Sequence, residues 1–591
     1  MTKEIDGKEL YHGFVRGGQK VIEERVSLDQ INVFPVPDSD TGHNMATTMK
    51  AMIERVQVSN SIGVMSRRMA QAAISNSRGN SGIIFAQFLE GLSQEIQDRE
   101  QIGPVEFAKA TESASKVAYQ SISEPVEGTI ITVMRKWANA LKGLANKKTD
   151  FTTFIEESMV TARQSLQETT QQLSVLQEKN VVDAGAKGFV LFLEGFVHFL
   201  RDREPLELET LELPTLKERY EHPVREGNLA QRYCTEFTIE GEGIDRGQLE
   251  NIASNYGDSL IIATRPNTAR MHIHTNSPAQ LSQKLRLLGK IVDGKVDDMK
   301  RQQQALREES GDIALVTDSA CDLPLELLDR YNIHLIPLSL SFNGETYFDK
   351  ITINPKQFYS LLKEKGYYPT TSQPSPEQFK SLYSFLRDHY QHVISLHLSA
   401  ELSGTYQVAS SAAEEVDDKN ITVVNTRQLS TSLGLIVLKI AKAIEAGQSI
   451  SSITDLARSI SEKSKILVSV KDIQYMIRGG RVSPLKGFFA RMLHLIPIIS
   501  LDEEGNSILY EKSFTQASNN EKIVSRIEEQ HRSTPIESYA IGHVHAEDQA
   551  EELSKQIQDV LGQPPQYTMN ISPLIGSHAG IGAVSVSYMT E

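Results

Sequence analysis

From the start of the chain to about residue 203, apolar side chains recur three and four positions apart, the spacing that lines one face of a helix. The segments 8–29, 64–95, 105–120, 129–145, 151–173 and 182–202 carry this pattern. Joints such as Glu124-Pro125 and Lys179-Asn180 punctuate them. No convincing alternation of strand type interrupts the series, so residues 1–203 predict an all-α domain. The stretch 204–224 is charged and proline-punctuated and reads as a linker. The period then shortens to two. Residues 231–240, 258–264 and 269–275 alternate apolar and polar positions as strands do, with RPNTA turning between the last two. With a helix at 278–289, residues 225–305 predict a small α/β domain, followed by a charged, Gln-rich connector at 298–310.

From residue 311 strand and helix signals alternate: IALVTDSA, a helix at 325–331, IHLIPLSLSF, helices at 355–365 and 376–389, HVISLHLS, a helix at 404–415, then ITVVNT. This texture predicts an α/β fold with parallel-sheet character. ILVSV, PIISLDEEGNSILY, ESYAIGHVH and AVSVSYM add strands further on, and no fixed-period repeat is found. At 591 residues the chain exceeds one core, and three or four domains are expected.

Charge narrows the partners. Lys and Arg number 61 against 76 Asp and Glu, a net −15, which argues against binding nucleic acid through its phosphates. There is no apolar run of transmembrane length, and MTKEIDGKELYHGF lacks the apolar core of a signal peptide. The two cysteines, Cys234 and Cys321, cannot build a disulfide framework, so a reducing cytoplasm is the expected setting.

The chemistry concentrates in NVFPVPDSDTGHNM, residues 32–45, where Asp38 and Asp40 follow a proline-punctuated loop. Hard Mg²⁺ takes oxygen ligands and commonly sits between one or two carboxylates and a substrate's phosphates. Three more clusters stand at helix junctions: Gly79-Asn80-Ser81-Gly82, Glu127-Gly128-Thr129 and Asp183-Ala184-Gly185. Helix N-termini offer unpaired N–H groups to anions, and glycine lets backbone approach a ligand. Each cluster alone is equally the capping chemistry of an ordinary helix start. No G-x-x-x-x-G-K-[ST] loop and no protein-kinase loop set occurs.

With these motifs, residues 1–203 resemble the nucleotide-binding domain of dihydroxyacetone kinases, in the variant form that opens bacterial fatty acid kinases. The resemblance implies a barrel of antiparallel helices that binds Mg–ATP at one end, with Asp38 and Asp40 as Mg²⁺ ligands. Thr41, Asn44, Asn80, Ser81 and Gly82 would contact phosphate or nucleotide, and Thr129, Asp183 and Gly185 would line the nucleotide pocket. The dihydroxyacetone enzymes carry a third aspartate where this chain has Val33, and Asn32 is expected to supply that ligand instead.

In the middle segment His272 and His274 stand two apart in a predicted strand and so share a face. Cys234, in another predicted strand, would complete three ligands for Zn²⁺; the alternative is a pair of surface histidines on a half-exposed strand. Tyr233-Cys234-Thr235-Glu236 with His272-Ile273-His274-Thr275-Asn276 resembles the middle domain of fatty acid kinases, which implies zinc at this place.

Further on come Val316-Thr317-Asp318-Ser319 with Asp322-Leu323-Pro324, Thr371-Ser372-Gln373-Pro374-Ser375 and Leu402-Ser403-Gly404-Thr405-Tyr406. Arg478-Gly479-Gly480-Arg481 and Gly576-Ser577-His578-Ala579-Gly580 follow. In this order they resemble the DegV family of fatty-acid-binding proteins, which implies a two-lobed α/β lipid carrier. A carboxylate leaving water needs donors, which Thr371, Ser403 and His578 can supply; helix or turn capping is the alternative for the two hydroxyls. The resemblance adds Ser372 and Gly404 to the lipid site, and Arg481 is expected to orient the carboxylate's surroundings or the incoming phosphate.

The chain thus reads as a multidomain fusion: a kinase domain at 1–203, a middle domain with linkers at 204–310 and a DegV-like carrier at 311–591. The resemblance implies that kinase and carrier are usually separate proteins. The resemblance implies ATP-dependent phosphorylation of a bound fatty acid to acyl phosphate, with Asp38, Asp40, Arg481 and His578 at the chemistry. It further implies a homodimer and transient contact with a membrane surface or an acyltransferase. Two other readings stay open: a kinase for a small polyol or ketone such as dihydroxyacetone, and a fatty-acid carrier whose kinase half has lost turnover.

Overall fold

The computed structural model describes residues 3–34, 40–54, 56–147, 150–204, 230–265, 267–305, 312–363, 368–417, 419–480 and 496–591. They fall into two compact units, one reaching Gln302 and one beginning at Gln303.

The first unit opens with a helical bundle. Its helices are Gly7–Glu23, Arg25–Gln30, Thr41–Glu54, Ile62–Asn76, Gly79–Ile96, Pro104–Gln120, Ile130–Leu144, Phe151–Gln172, Ser174–Lys179 and Ala184–Asp202. Short joints force consecutive long helices to run antiparallel. Aromatic rings fill the interior: Phe14, Phe85 and Phe192 meet edge to face, as do Trp137 and Phe189. The buried Trp137 indole donates to Ser158 Oγ at 2.8 Å, so its one polar atom is satisfied.

The pattern expected over 64–95 is broken into two helices at Ser77-Arg78, and that over 8–29 ends its first helix at Glu23. The helix Thr41–Glu54 was not legible, because its apolar face is built from Met, Ala and Thr. A two-stranded ribbon, Ile5–Asp6 with Gln101–Ile102, adds β-structure to a domain expected to be all helical.

The same unit contains a four-stranded antiparallel sheet, in the order Gly257–Arg265, Thr268–Thr275, Tyr233–Glu240, Lys290–Asp298. Its two faces differ completely. Phe237, Ile239, Met271 and Ile273 pack on one side against Leu249, Leu281 and Leu285 of two short helices. On the other side Ile261 and Ala263 join the hydrophobic core of the bundle. The bundle even adds a piece of backbone to the sheet edge: Ile122 bridges Ile261, and Ile262 N–H donates to Ser121 O at 3.1 Å. The strand Lys290–Asp298 escapes sequence reading because Lys, Asp and Gly occupy most of it. The helix expected at 278–289 stops at Leu285.

The second unit is α/β. Ile421–Asn425, His392–His397, Ile313–Asp318 and His334–Ile336 form a parallel sheet in that order, as alternating strands and helices predict. IHLIPLSLSF, expected as one strand, is split at Pro337: Ser339–Phe342 pairs instead with Glu345–Phe348 and Thr370–Ser372. Six strands make a third sheet in the order Ser507–Ser513, Ile496–Leu501, Ser464–Ser469, Val584–Thr590, Ile536–His543, Thr568–Asn570. The helix Ser430–Glu445, buried over most of its surface, packs on that sheet. Among the described residues no helix is long and apolar enough to cross a membrane.

Candidate functional sites

Antiparallel alternation brings every second helix start of the bundle to one end. Four N-termini meet there. A Cβ at Gly79 would lie 2.2 Å from Asn44 Nδ2, and one at Gly185 would lie 2.8 Å from Ser81 Oγ, so the Thr41, Gly79 and Ala184 helices begin in contact. Gly79 has φ +56, open to glycine and strained for other residues. Gly82 faces Thr48 Oγ1 and the Asn44 carbonyl just as closely. Asp183 caps the Ala184 helix through the Ala186 amide at 2.7 Å and also receives the Ile130 amide, which ties in the fourth helix. Burial pushes its carboxyl up to about 7, although these amides pull the other way. Asn80 Oδ1 is buried here without a hydrogen-bond partner among the described residues.

Four sequence candidates behave differently. Thr129 precedes the Ile130 helix but turns its hydroxyl to the Val126 carbonyl at 2.9 Å. Asn32 is buried, with its amide on the Asp29 carbonyl at 3.2 Å. Asp38 lies outside the described residues, as does Arg481.

Asp40 is placed, and beside it stands a carboxylate that its sequence position does not advertise. Asp29 Oδ1 accepts the Gly42 and His43 amides at 2.6 and 3.2 Å, capping the Thr41 helix from outside. Burial, with the charge of Asp40 added, pushes Asp29 up to about 8. Two carboxylates close enough for the charge of one to act on the other, at a junction of helix N-termini, suit a hard divalent cation with phosphates around it. Asp29 lies four residues before Val33, on the preceding short helix Arg25–Gln30, so no motif spacing points to it.

The polar face of the sheet lies against this end. In antiparallel register Cys234 pairs with His274 on one side and Asp297 on the other, and Glu236 pairs with His272 and Lys295. Cys234 Sγ is 3.9 Å from His272 Nδ1, and one ligand atom from each of Cys234, His272 and His274 lies within 4.8 Å of the others. Each histidine has a carboxylate at its Nδ1: Glu236 at 3.6 Å from His272 and Asp258 at 3.8 Å from His274. His272 Nε2 is buried without a partner among the described residues. One thiol and two imidazoles backed by carboxylates are a donor set that fits Zn²⁺. Burial lowers His274 to about 3, which keeps its imidazole neutral, as a ligand must be. Glu236 Oε1 also accepts the Gly79 amide at 2.7 Å. Against its burial, His272 and Arg270 hold its carboxyl far below the usual carboxylate range.

The second unit contains a cavity of about 340 Å³ whose wall includes Thr371, Ser372, Ser403, Gly404 and His578. Leu338, Leu398, Leu402, Ile466, Val468, Ile499 and Ile575 make much of the remainder. The five polar or small candidates, scattered over more than two hundred positions of sequence, are thus gathered in one place. Thr371 and Ser372 come from the strand Thr370–Ser372, Ser403 and Gly404 precede the helix Thr405–Asp417, and His578 sits on Pro573–Ala579. Two buried aspartates aim that last helix. Asp322 accepts the Ser572 amide at 2.9 Å and Asp349 the Leu574 amide at 3.1 Å. Lys350 Nζ stands 3.2 Å from Asp322.

Asp318, from the first motif of this half, holds His397 Nδ1 at 2.9 Å, and His397 Nε2 lies 2.8 Å from Ser395 Oγ. The order is that of a hydrolase triad, yet all three side chains are fully buried and Tyr383 OH donates to Ser395 Oγ at 2.8 Å. This chain of hydrogen bonds fastens neighbouring strands and offers no nucleophile to solvent.

Comparison with known proteins finds three successive matches along the chain. Residues 35–198 match the DAK2 domain, residues 230–306 the middle domain of fatty acid kinase-like proteins, and residues 312–591 the DegV family of uncharacterised proteins. An uncharacterized protein of Staphylococcus aureus (strain bovine RF122) is 30% identical over 323 residues, covering 52% of this chain and 58% of its own length. One from Staphylococcus epidermidis is 29% identical over 321 residues with the same coverage. The chain therefore spans somewhat over half the length of these relatives. A DegV family protein of Thermus thermophilus, described for its fatty acid binding, is similar to 47% of the chain at 30% identity and TM-score 0.45, over 99% of its own length. DegV of Bacillus subtilis, described as a fatty acid binding protein, covers 48% at 30% identity and TM-score 0.44, over its entire length.

Proposed function

We propose, from a chain that joins a DAK2 domain, a fatty acid kinase-like middle domain and a DegV-family domain, that this protein uses ATP to phosphorylate the carboxylate of a fatty acid held in its own DegV domain. The observation that carries the reading is the presence in one chain of four converging helix N-termini at Asp40 and an apolar cavity lined by Thr371, Ser403 and His578. A phosphate cradle without the cavity would suit any small acceptor.

The chemistry asks little of a general base, because a carboxylate is already ionised at neutral pH. The obstacle is bringing two anions together. The starts of the Thr41, Gly79, Ile130 and Ala184 helices would receive the phosphates through amides other than those that Asp29, Glu236 and Asp183 already hold, with Asn44 and Ser81 fixing the distance between them. Asp40 and Asp38 would hold Mg²⁺, with Asp29 beside them, and bound Mg²⁺ supplies charge neutralisation. Cys234, His272 and His274 would hold Zn²⁺, which supplies a rigid link between strands. Thr371, Ser403 and His578 would donate to the fatty acid carboxylate, and Arg481 would orient the carboxylate's surroundings or the incoming phosphate. Both cysteines are free, which fits a reducing compartment, and the reading assigns the protein to the cytoplasm.

The test has two arms. Mass spectrometry of an organic extract of the purified protein should find a co-purified fatty acid. Labelled ATP should then transfer its γ-phosphoryl group to that acid, with transfer lost and the lipid retained in Asp40→Ala. Transfer to dihydroxyacetone with no lipid in the extract would replace this function by a polyol kinase.

A further inference from the structure

One charged group at the kinase end comes from the sheet and has no part in the chemistry so far described. Lys295 stands on the strand Lys290–Asp298, paired with Glu236 in register and therefore on the polar face, in one row with His272. Its ammonium sits 2.5 Å from Asp297 Oδ2, two residues along its own strand, and its side chain is 30% exposed. Asp40 and Glu236 act on it electrostatically, and it acts in turn on His43 in the first turn of the Thr41 helix. Its partner in register, Glu236, accepts the Gly79 amide at 2.7 Å, which sets Lys295 in the strand row next to the start of that helix.

The neighbouring cations are committed elsewhere. Arg270 donates to Ser75 O at 3.0 Å and to Glu236 at 3.3 Å and is nearly sealed from solvent. Arg78 stands 3.6 Å from Glu236. Arg25 is buried and donates to the Ile22 carbonyl. Lys295 shares partial exposure with Arg78, their side chains being 30% and 36% exposed, and differs from it in a flexible four-carbon stem paired with a carboxylate of its own strand.

We infer that Lys295 is the phosphate-binding cation that the sheet contributes to the kinase site, its ammonium donating to an oxygen of the terminal phosphoryl group of bound nucleotide. This rests on the kinase reading. In the transfer the γ-phosphorus leaves the β–γ bridging oxygen and bonds a carboxylate oxygen of the acid, giving ADP and acyl phosphate. Lys295 keeps its proton throughout and exchanges part of its pairing with Asp297 for the phosphoryl oxygens. The transferring group spreads its charge over three equatorial oxygens, so a fixed ammonium beside them orients and holds it as well as selecting a triphosphate.

The experiment is calorimetric titration of the full chain with Mg–ATP and with Mg–ADP, for wild type, Lys295→Met and Lys295→Arg, with melting temperature and zinc content measured on each. Expected is a loss of about 10- to 100-fold in ATP affinity for Lys295→Met, the range for removing a hydrogen bond to a charged group. ADP affinity, zinc and melting temperature should stay at wild-type values, and Lys295→Arg should recover most of the ATP affinity. An unchanged ATP affinity in Lys295→Met, or equal losses for ATP and ADP together with zinc or stability, overturns the inference and leaves the kinase reading standing. A wild-type chain that binds neither nucleotide overturns both.

Discussion

Glu236 Oε1 accepts the amide of Gly79 at 2.7 Å, across 157 positions of sequence. The bond runs from a strand of the middle sheet to the start of the helix that carries Asn80 and Ser81. It gives a partner to one of the amides that every helix N-terminus leaves unpaired. The same carboxylate meets Arg270, Arg78 and His272. One side chain therefore orders the end of the bundle where the four helices begin and the thiol–imidazole cluster together.

Gly79→Ala should destabilise the first unit. The substitution forces a side chain into a backbone of φ +56 and sets its Cβ against Asn44. Strain of this kind costs about 1–3 kcal/mol, read as a lower melting temperature, and ATP binding should weaken with it. Glu236→Ala should cost more, about 3–5 kcal/mol, because it leaves the buried Arg270 charge without its carboxylate. A Gly79→Ala protein with wild-type melting and nucleotide affinity would refute the close approach.

Elemental analysis of protein prepared without chelator should find about one equivalent of zinc. Cys234→Ser or His272→Ala should lower it well below that, and Cys321→Ser should leave it alone. Cys321 is buried in the second unit, where burial pushes its thiol up to about 12.

For the cavity, Ser403→Ala and Thr371→Ala, each delipidated, should lose roughly 1.5–3 kcal/mol of fatty acid affinity in isothermal titration, as expected for a hydrogen bond to a charged group. Ser403 has a second hydroxyl, Thr405, at 2.8 Å, so its variant should fall at the lower end. Unchanged affinity in both would remove these hydroxyls from the carboxylate's environment.

Asp349 makes the second unit's stability depend on pH. Burial, partly offset by Lys350, pushes its carboxyl up to about 7 in the folded chain, against an unfolded value near ~4. Between those values the folded state binds the proton that the unfolded state has lost. Stability contributed by this group is therefore greatest at the acid end of that window and falls as pH rises through it, by roughly 4 kcal/mol in all. Asp349→Asn keeps an acceptor for the Leu574 amide and should flatten the dependence. Equal slopes of melting temperature against pH in wild type and variant would contradict it.

Fold and site were legible in the sequence to different depths. Helices with broad apolar faces, such as Ala184–Asp202, and strands such as Ile313–Asp318 announced themselves by period. The carboxylate Asp29 and the strand bearing Lys295 did not, for a shared reason: their residues are charged where the period expects apolar ones, because what they face is a polar site. The convergence of Asn44 on Gly79 and of Ser81 on Gly185 follows from helix direction, which spacing along a chain does not encode. The alternation of His272 and His274, by contrast, fixed a shared face as soon as a strand was recognised.

The backbone bridge between Ile122 and Ile261 bears on how such a chain can be inherited. The bundle borrows Ile261 and Ala263 for its own interior and lends the sheet an edge, so no seam separates the two near residue 203. Cutting there would bare apolar surface on one piece and an unpaired strand edge on the other. The natural joint falls near residue 302, and gene shuffling is therefore expected to move bundle and sheet as one cassette. Within that cassette, a change at Gly79 and a change at Glu236 are answerable to each other, and drift at one should constrain drift at the other.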